Sequence, residues 1–171
     1  MEPFFITGLP RSRTLWLANY FTFGDSACQH EMTFGLLDLA SGKLDMVAFE
    51  NVLGCNSEWR SGNSDSGMLA CYRQIARRWP CVPWLFIDRP VAQVRASLEA
   101  VGINSEHIPY LADAARVFID KIRPKVVPFD EINDRMDEIA EHLTPGVTYP
   151  WWRRQMLEAA NMQVTDRHID R

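Results

Sequence analysis

Short apolar runs alternate along this chain with segments in which apolar residues recur at helical spacing. The runs at residues 3–7, 82–88 and 124–129 consist largely of strand-forming residues and predict three buried strands. The prolines in the third run favour a position near the edge of a sheet. Because strands that alternate with helices form parallel sheets covered on both faces, we expect a three-layer α/β sandwich with a mainly parallel central sheet.

The predicted helices take up most of the remaining sequence. Apolar spacing and stop signals place them at residues 12–23, 31–40, 66–79, 91–101, 105–122, 131–143 and 149–165. Ser105 and Asp130 are expected to cap two of these helices. Residues 46–49 fit either a helix turn or a short strand, and residues 59–65 fit a turn or loop. No linker interrupts the pattern, so residues 1–171 are predicted to form one domain.

Composition argues against several classes of protein. The chain has 171 residues, 47% apolar and 23% charged, as in ordinary globular domains, and its net charge of −4 argues against general nucleic-acid binding. No apolar run approaches the roughly 20 residues that span a bilayer, and no leader pattern is visible, so we expect a cytoplasmic protein with no membrane segment. Cys28, Cys55, Cys71 and Cys81 lack zinc-site spacing and are interpreted as free thiols.

The first predicted strand runs into a loop with the composition of an anion-binding site. The segment TGLPRSRTLW at residues 7–16 connects that strand to the start of a helix. Unsatisfied backbone N–H groups and the positive end of a helix dipole favour phosphate or sulfate at such a place. Arg11 and Arg13 add two guanidiniums, and Ser12 and Thr14 add two hydroxyls. The alternative interpretation is a plain turn in which Ser12 only caps the helix.

The loop differs from the P-loop of nucleotide hydrolases, Gly-x4-Gly-Lys-Ser/Thr. Counted from Gly8, the last three motif positions hold Arg13, Thr14 and Leu15. Since no hydroxyl is available there for magnesium, Mg-dependent cleavage of a nucleoside triphosphate is disfavoured. A P-loop nucleotide kinase-like enzyme is therefore kept only as an alternative hypothesis.

The same loop resembles the 5′-phosphosulfate loop of the sulfotransferase family, which reads approximately Pro-Lys/Arg-Ser-Gly-Thr-Thr/Ser-Trp/Leu. The resemblance implies a P-loop NTPase-like fold and a sulfotransferase that uses 3′-phosphoadenosine 5′-phosphosulfate and releases adenosine 3′,5′-bisphosphate. It also implies roles for the matching residues. Arg11 would contact the transferred group, Ser12, Arg13 and Thr14 would hold the 5′-phosphate, and Trp16 would contact adenine. Arg13 stands where the family has glycine, so its side chain is expected either to bend outward or to add a phosphate contact.

A second motif resembles the family's 3′-phosphate site, in which an arginine ends a strand and a serine follows in the next helix. Arg89 follows the strand predicted at residues 82–88, and Ser97 lies in the helix after it. Ligands of open α/β sheets bind at the carboxyl ends of strands, which favours the same place. Arg95 is a nearby substitute, and a plain surface role for these residues is the alternative. Residues 126–132 further resemble the family's late strand and acidic helix start.

Sulfuryl transfer requires a base that takes the acceptor's proton, and His30 and Glu31 are the candidates. Glu31 is slightly favoured, although an acid at a helix start has the same sequence signal. Arg11 would neutralise charge as Mg²⁺ often does, so no metal is expected. The acceptor, a hydroxyl or an amine, is unidentified. Residues 29–66 would form most of its wall, and within them residues 63–66 either line that wall or cap the next helix.

The segment at residues 151–154, with the sequence WWRR, is aromatic and basic. The glycine- and lysine-rich cofactor segment of the sulfotransferases is not recognisable in this chain. Residues 151–154 either replace it or serve packing or an oligomer interface. A non-catalytic nucleotide- or phosphate-binding protein of the same fold is the third functional hypothesis.

Overall fold

The computed structural model describes residues 2–38, 40–54 and 59–159. The strands are β1 (Phe4–Gly8), β2 (Ser26–His30), β3 (Leu37–Asp38), β4 (Lys43–Leu44), β5 (Arg60–Ser64), β6 (Trp84–Asp88) and β7 (Lys125–Pro128). The helices are α1 (Thr14–Phe21), α2 (Met46–Leu53), α3 (Met68–Arg78), α4 (Val91–Glu99), α5 (Ile108–Ile122), α6 (Met136–Leu143) and α7 (Trp151–Ala159), with a 3-10 turn at Phe129–Glu131. No helix among these residues is long and apolar enough to cross a membrane.

Five parallel strands form the central sheet, in the order β2-β5-β1-β6-β7. The expected parallel α/β architecture is confirmed, and β7 lies at the edge of the sheet as its prolines predict. The chain leaves β1 toward β2 at one edge and leaves the neighbouring β6 toward β7 at the other edge. Two adjacent strands whose connections diverge in this way leave a ligand-binding crevice at their carboxyl ends.

Helices cover both faces of the sheet. Successive side chains of a strand point to opposite faces, so β1 contributes to two apolar clusters. Phe4 and Ile6 pack with α1 and α6, whereas Phe5 packs with α2, α3, α4 and α5. Right-handed crossovers explain why α1 covers one face of the sheet and α2 to α5 cover the other. The chain moves one way across the sheet from β1 to β2 and the other way in the later crossovers, and a right-handed connection then lies on the opposite face.

The prediction of a turn or loop at residues 59–65 is wrong, because most of this segment is the interior strand β5. Arg60–Ser64 carries no apolar side chain, yet it pairs with β1 on one side and β2 on the other. Gly62 makes this possible, since a Cβ there would lie 2.3 Å from the Phe4 ring. The small side chains of Asn63 and Ser64 are fully buried. Large residues of β1 fill the space that β5 leaves.

The helix predicted at residues 31–40 is also wrong. Glu31 and Gly35 have positive φ angles of 55° and 82°, which interrupt a right-handed helix. The Asp65 carboxylate accepts hydrogen bonds from the backbone N–H and the hydroxyl of Thr33, at 2.8 and 2.5 Å, and fixes this turn. The chain then forms the short antiparallel hairpin of β3 and β4.

Two predicted caps do not form. Ser105 Oγ donates to a Glu99 carboxylate oxygen at 2.7 Å, and α5 begins only at Ile108. Asp130 lies inside the 3-10 turn, and α6 begins at Met136. The other predicted helices are confirmed in place as α1, α3, α4 and α5, and α2 occupies the ambiguous residues 46–49.

The aromatic and basic segment forms α7, which packs against the end of α1. Arg153 donates from Nε to the Tyr20 carbonyl oxygen at 2.9 Å and from Nη2 to the carbonyl oxygens of Asn19 and Thr22. Carbonyls at the end of a helix lack intrahelical donors, so Arg153 caps α1 from a distant part of the sequence. Of the helix predicted at residues 149–165, residues 160–165 lie outside the described residues.

Candidate functional site

The loop after β1 lies at the carboxyl end of the sheet and folds closely against β6. A Cβ at Gly8 would lie 2.8 Å from the Ile87 carbonyl oxygen and 3.2 Å from the Ser12 Cβ, so the loop requires glycine there. The loop leads directly into α1, which begins at Thr14. The unsatisfied N–H groups at the start of α1 are therefore held at the crevice between β1 and β6.

Two arginines shape the backbone of this loop. Arg11 and Arg13, on either side of Ser12, have φ angles of 65° and 60° in the left-handed region. Left-handed residues in such a turn direct neighbouring N–H groups into one concavity that suits an anion. Arg13 thus adopts the backbone conformation that glycine enters easily, at a cost of about 1–2 kcal/mol for a residue with a side chain.

Arg89 lies against this loop. Its Nη1 donates to the Arg11 carbonyl oxygen, and its Cζ lies 4.2 Å from the centre of the Phe129 ring. The Arg89 Nε is buried and has no hydrogen-bond partner among the described residues. Burial, followed by the positive charge of Arg11, lowers the pKa of Arg89, and the negative charge of Asp130 opposes this shift.

Ser97 faces the same loop from α4. Arg11 Nε donates to Ser97 Oγ at 3.2 Å, so the two separate sequence motifs meet at one place. Ser12 Oγ is fully buried and has no partner in the described part of the chain. An unpartnered buried hydroxyl costs free energy, which a ligand oxygen would recover. Arg95, the possible substitute, instead bonds Ser105 at 3.2 Å and pairs with Glu99 at 3.7 Å.

His30 ends β2 and reaches the start of α1. Its Nε2 lies 3.2 Å from Thr14 Oγ1 and 3.9 Å from Glu31 Oε1. Burial lowers the pKa of His30, while the charges of Glu31 and Asp65 act in the opposite direction. The Glu31 side chain is 62% exposed. His30 is therefore the more constrained of the two candidate bases.

Arg13 and Trp16 differ in how much they offer to a ligand. The exposed Arg13 side chain donates from Nη1 to Asn133 Oδ1 at 2.8 Å, and its Cζ lies 5.2 Å from the Phe129 ring centre. Trp16 is only 6% exposed and stacks on Tyr20, with ring centres 5.6 Å apart. Both residues line the same cavity, but Trp16 belongs mainly to the core.

Most of these side chains surround one cavity of about 630 Å³, which we call the carboxyl-end cavity, whereas the fully buried Ser12 does not line it. Its lining comprises Arg11, Arg13, Thr14, Leu15, Trp16, His30, Glu31, Arg89, Ser97, Phe129, Asn133, Leu157 and Glu158. Within the described residues, no carboxylate lies within ion-pair distance of Arg11, Arg13 or Arg89. The cavity thus holds three guanidiniums without an ion-pair partner in the described part of the chain, and the side chains of Glu31 and Glu158 also line it.

Sequence reasoning missed Phe129 and Asn133. The signal that could have found Phe129 is the strand register, since Asp88 pairs with Pro128 and the next residues, Arg89 and Phe129, therefore leave the sheet side by side. Residues 63–66, expected either to line the acceptor wall or to cap a helix, do not line this cavity. Asp65 instead bonds Thr33 and accepts from the Gly67 N–H at 2.7 Å.

A second cavity, of about 580 Å³, lies at the opposite end of the sheet, and we call it the amino-end cavity. It is also basic, and one of its cations has a carboxylate partner: Lys125 Nζ lies 2.6 Å from a Glu138 carboxylate oxygen. Arg60 Nη1 donates to the Pro145 carbonyl oxygen at 3.2 Å, and Arg123 forms no ion pair within the described residues. The amino-end cavity therefore has two guanidiniums without a carboxylate partner among the described residues, whereas the carboxyl-end cavity has three.

Comparisons with known proteins add no assignment. A scan against protein-family models gives no match for this chain. A search of the curated proteins gives none either. The functional argument therefore depends on the geometry of the site.

Proposed function

We propose that this protein binds 3′-phosphoadenosine 5′-phosphosulfate in the carboxyl-end cavity and transfers its sulfuryl group to a hydroxyl or amine. The observation that carries the proposal is the convergence of Arg89 and Ser97 on Arg11, each through a hydrogen bond. A ligand with one phosphate would need only the loop. A ligand with two separate phosphate groups accounts for both anion-binding elements in one cavity.

The unsatisfied donors of the site support an anionic ligand. Ser12 Oγ and Arg89 Nε are buried without a partner in the described chain. Of these two residues Arg89 lines the cavity, so a ligand oxygen would supply its missing acceptor. Charge-assisted hydrogen bonds to phosphate are among the strongest in proteins. In this proposal the loop N–H groups, with Ser12, Arg13 and Thr14, hold the 5′-phosphate.

The remaining contacts of the nucleotide follow from the same arrangement. Arg89 and Ser97 hold the 3′-phosphate at the end of β6 and on the facing side of α4. Trp16 provides the adenine contact through the small part of its ring that reaches the cavity. Among the described residues no carboxylate forms an ion pair with Arg89, so in this proposal its charge acts on the ligand against the opposing charge of Asp130.

Arg11 and His30 carry the chemical step in this proposal. The acceptor oxygen or nitrogen forms a bond to sulfur while the bond from sulfur to the 5′-phosphate oxygen breaks. Arg11 stabilises the negative charge that grows on the departing phosphate oxygen. His30 takes the acceptor's proton, and the products are the sulfated acceptor and adenosine 3′,5′-bisphosphate.

His30 suits the role of base better than Glu31. Its lowered pKa favours the neutral imidazole at neutral pH, and the contact with Thr14 orients the ring. The Glu31 side chain, by contrast, is 62% exposed. We expect turnover to fall as the pH drops and His30 becomes protonated, and His30→Gln to remove most of the turnover while leaving nucleotide affinity nearly unchanged.

The test is calorimetric binding of adenosine 3′,5′-bisphosphate, 5′-AMP and Mg-ATP to the wild type and to Arg89→Ala. We expect the bisphosphate to bind best without metal. Arg89→Ala should weaken the bisphosphate roughly tenfold to a hundredfold, as the loss of a charged hydrogen bond predicts, and should weaken 5′-AMP much less.

Arg95→Ala is the matched control, because Arg95 lies on α4, the helix that follows Arg89, bonds Ser105 and Glu99, and does not line the cavity. It should leave the three affinities unchanged. Equal losses of bisphosphate and 5′-AMP in Arg89→Ala would contradict the 3′-phosphate assignment. Preferred binding of Mg-ATP would favour the nucleotide kinase-like alternative instead.

One observation favours a second candidate, a nucleotide-binding protein without transfer activity. The His30 Nε2 is already engaged by the Thr14 hydroxyl and must release it to accept a proton from a substrate. The two candidates differ in turnover. A transferase releases adenosine 3′,5′-bisphosphate from the sulfated donor when an acceptor is present, whereas a binding protein retains the donor intact across a panel of hydroxyl and amine acceptors.

A further inference from the structure

Phe129 lies where the edge strand of the sheet ends beside the anion site. The register of β6 and β7 pairs Asp88 with Pro128, so Arg89 and Phe129 follow from neighbouring strands. Phe129 begins the 3-10 turn after β7, is half-buried, and packs against the apolar cluster of α1 and α6. Its ring is therefore held in place by the core while one part of it lines the carboxyl-end cavity.

Two guanidiniums lie over this one ring. The Cζ atoms of Arg89 and Arg13 are 4.2 and 5.2 Å from the ring centre, and both distances are within the range of cation–π attraction. Arg89 comes from the end of β6 and Arg13 from the loop after β1. The ring thus joins the two anion-binding elements of the site, and Asn133 holds Arg13 from the other side.

Three guanidiniums in one cavity repel one another, and proteins commonly offset such repulsion with carboxylates. A carboxylate paired directly with Arg89 or Arg13 would occupy the N–H donors that should bind an anion. The negative face of an aromatic ring attracts a guanidinium through its flat side and takes up none of its N–H donors. Phe129 therefore resolves the conflict between holding the arginines and keeping them available.

We infer that Phe129 is a positioning residue that holds Arg89 and Arg13 by cation–π contact in the geometry that binds phosphate groups. The inference builds on the proposed function in taking the carboxyl-end cavity as an anion site, but it does not require a nucleotide. Removal of the ring frees both side chains to adopt other rotamers, which must be reordered when an anion binds.

The test replaces Phe129 with phenylalanines carrying one, two and three ring fluorines. Fluorine withdraws charge from the ring face and changes the ring's size little, so the series weakens cation–π attraction in steps at nearly constant packing. The probes are inorganic pyrophosphate, which has no base that could stack on the ring, and adenosine 3′,5′-bisphosphate. We expect the pyrophosphate affinity to fall stepwise, and Phe129→Leu to weaken it roughly five- to tenfold.

Phe23 offers a matched control at the other end of α1. The Arg153 Cζ lies 5.0 Å from the centre of the Phe23 ring, outside the carboxyl-end cavity. Phe23→Leu therefore removes a cation–π contact without touching the anion site, and pyrophosphate affinity should not change. Urea unfolding of each variant separates a loss of affinity from a loss of folded protein. Phe129→Trp, which keeps an aromatic face, should bind more tightly than Phe129→Leu.

The two probes separate the failure of this inference from the failure of the proposed function. A stepwise loss of pyrophosphate affinity supports the positioning role, even if the bisphosphate shows no advantage over 5′-AMP and the proposed function is wrong. Equal pyrophosphate affinity across the fluorinated series, or no measurable pyrophosphate binding to the wild type, overturns the positioning role. Either result would be compatible with preferred binding of the bisphosphate over 5′-AMP, on which the proposed function depends.

Discussion

The two ends of the central sheet carry cavities of similar size, about 630 and 580 Å³, but they treat positive charge differently. At the amino end, Lys125 pairs with Glu138, Arg60 bonds the Pro145 carbonyl oxygen, and only Arg60 and Arg123 lack a carboxylate partner within the described residues. At the carboxyl end, Arg89 and Arg11 bond backbone or hydroxyl oxygens, and no described carboxylate pairs with them.

The contrast shows that cavity size and basic residues alone do not identify a binding site. Charges that already have carboxylate partners contribute to holding the fold together and gain little from a further anion. Charges that lack such partners raise the free energy of the empty site and gain most when an anion arrives. The arrangement of partners therefore distinguishes the two ends of this sheet.

The largest change to this contrast should come from Gly8→Ala. The new Cβ would lie 2.8 Å from the Ile87 carbonyl oxygen and force β1 and β6 apart where the loop begins. We expect a loss of about 1–3 kcal/mol in unfolding free energy from overpacking, measured in urea. Because Arg11 and Arg89 would no longer converge, pyrophosphate affinity should fall by at least about tenfold, the effect of one lost charged hydrogen bond.

Gly146→Ala is the corresponding change on the chain beside the amino-end cavity. Gly146 has a φ of 79° and open space around its Cβ position, so the substitution strains only the backbone. It should cost about 1 kcal/mol of stability and leave anion affinity unchanged. If both variants lost pyrophosphate affinity equally, the two ends of the sheet would not be functionally distinct.

Asn133→Asp should make the carboxyl end more like the amino end. The substitution keeps the shape of the side chain and places a carboxylate 2.8 Å from Arg13 Nη1. An exposed ion pair of this kind is worth about 0.2–1 kcal/mol, so we expect pyrophosphate affinity to fall about threefold, with a weaker dependence on salt. Unchanged affinity and salt dependence would show that Arg13 does not contribute to the anion site.

The smallest effect should come from Glu138→Gln, and only in the pH dependence of stability. Hydrogen bonds from Arg135 and Lys125 lower the pKa of Glu138 to about 2. A carboxylate with a depressed pKa stabilises the folded state above its unfolded pKa of about 4.5, and the contribution is lost as the pH falls toward 2. The difference in urea midpoint between wild type and Glu138→Gln should therefore shrink over this range.

Glu141→Gln provides the comparison for that measurement, because Glu141 lies on the same helix and forms no ion pair within the described residues. Its urea midpoint should follow the wild type at every pH. Pyrophosphate affinity at neutral pH should be the same in both variants, since neither residue lines the carboxyl-end cavity. A change in affinity in Glu138→Gln would link the two ends of the sheet.

The apolar strands could be predicted from sequence, and the polar ones could not. β1 and β6 are buried on both faces between helices, so they read as continuous apolar runs. β2 and β5, with sequences SACQH and RSGNS, lie beside them in the same sheet but carry few or no apolar side chains. Hydrophobic spacing detects strands that are buried through their own large side chains. β5 is buried in a different way, because the Phe4 ring of β1 occupies the space at Gly62.

The same limit explains the false helix at residues 31–40. Met32 and Leu36 have helical spacing, but the contact that bends this segment comes from Asp65 in a distant part of the sequence. A local pattern cannot reveal a partner of that kind. The site was more predictable, because Arg11, Arg89 and Ser97 each stand at a strand end or on the following helix, where the topology of a parallel sheet brings side chains together.

Phe129 and Asn133 could not be identified in this way, since their roles depend on which strand neighbours β6. The sequence predicts an edge strand at residues 124–129 but not its register against Asp88. Register follows from pairing across the whole sheet and is not encoded in any single segment. The residues proposed to bind the ligand could be named from the sequence, whereas those proposed to position them required the fold.

The cap that Arg153 provides for α1 has a consequence for synthesis of the chain. Arg153 is separated from Tyr20, whose carbonyl it binds, by 133 residues. During translation the loop after β1 and α1 therefore leave the ribosome long before the side chain that completes the far end of the helix. A nascent chain stalled before α7 would carry an α1 whose last carbonyl oxygens lack the donors of Arg153.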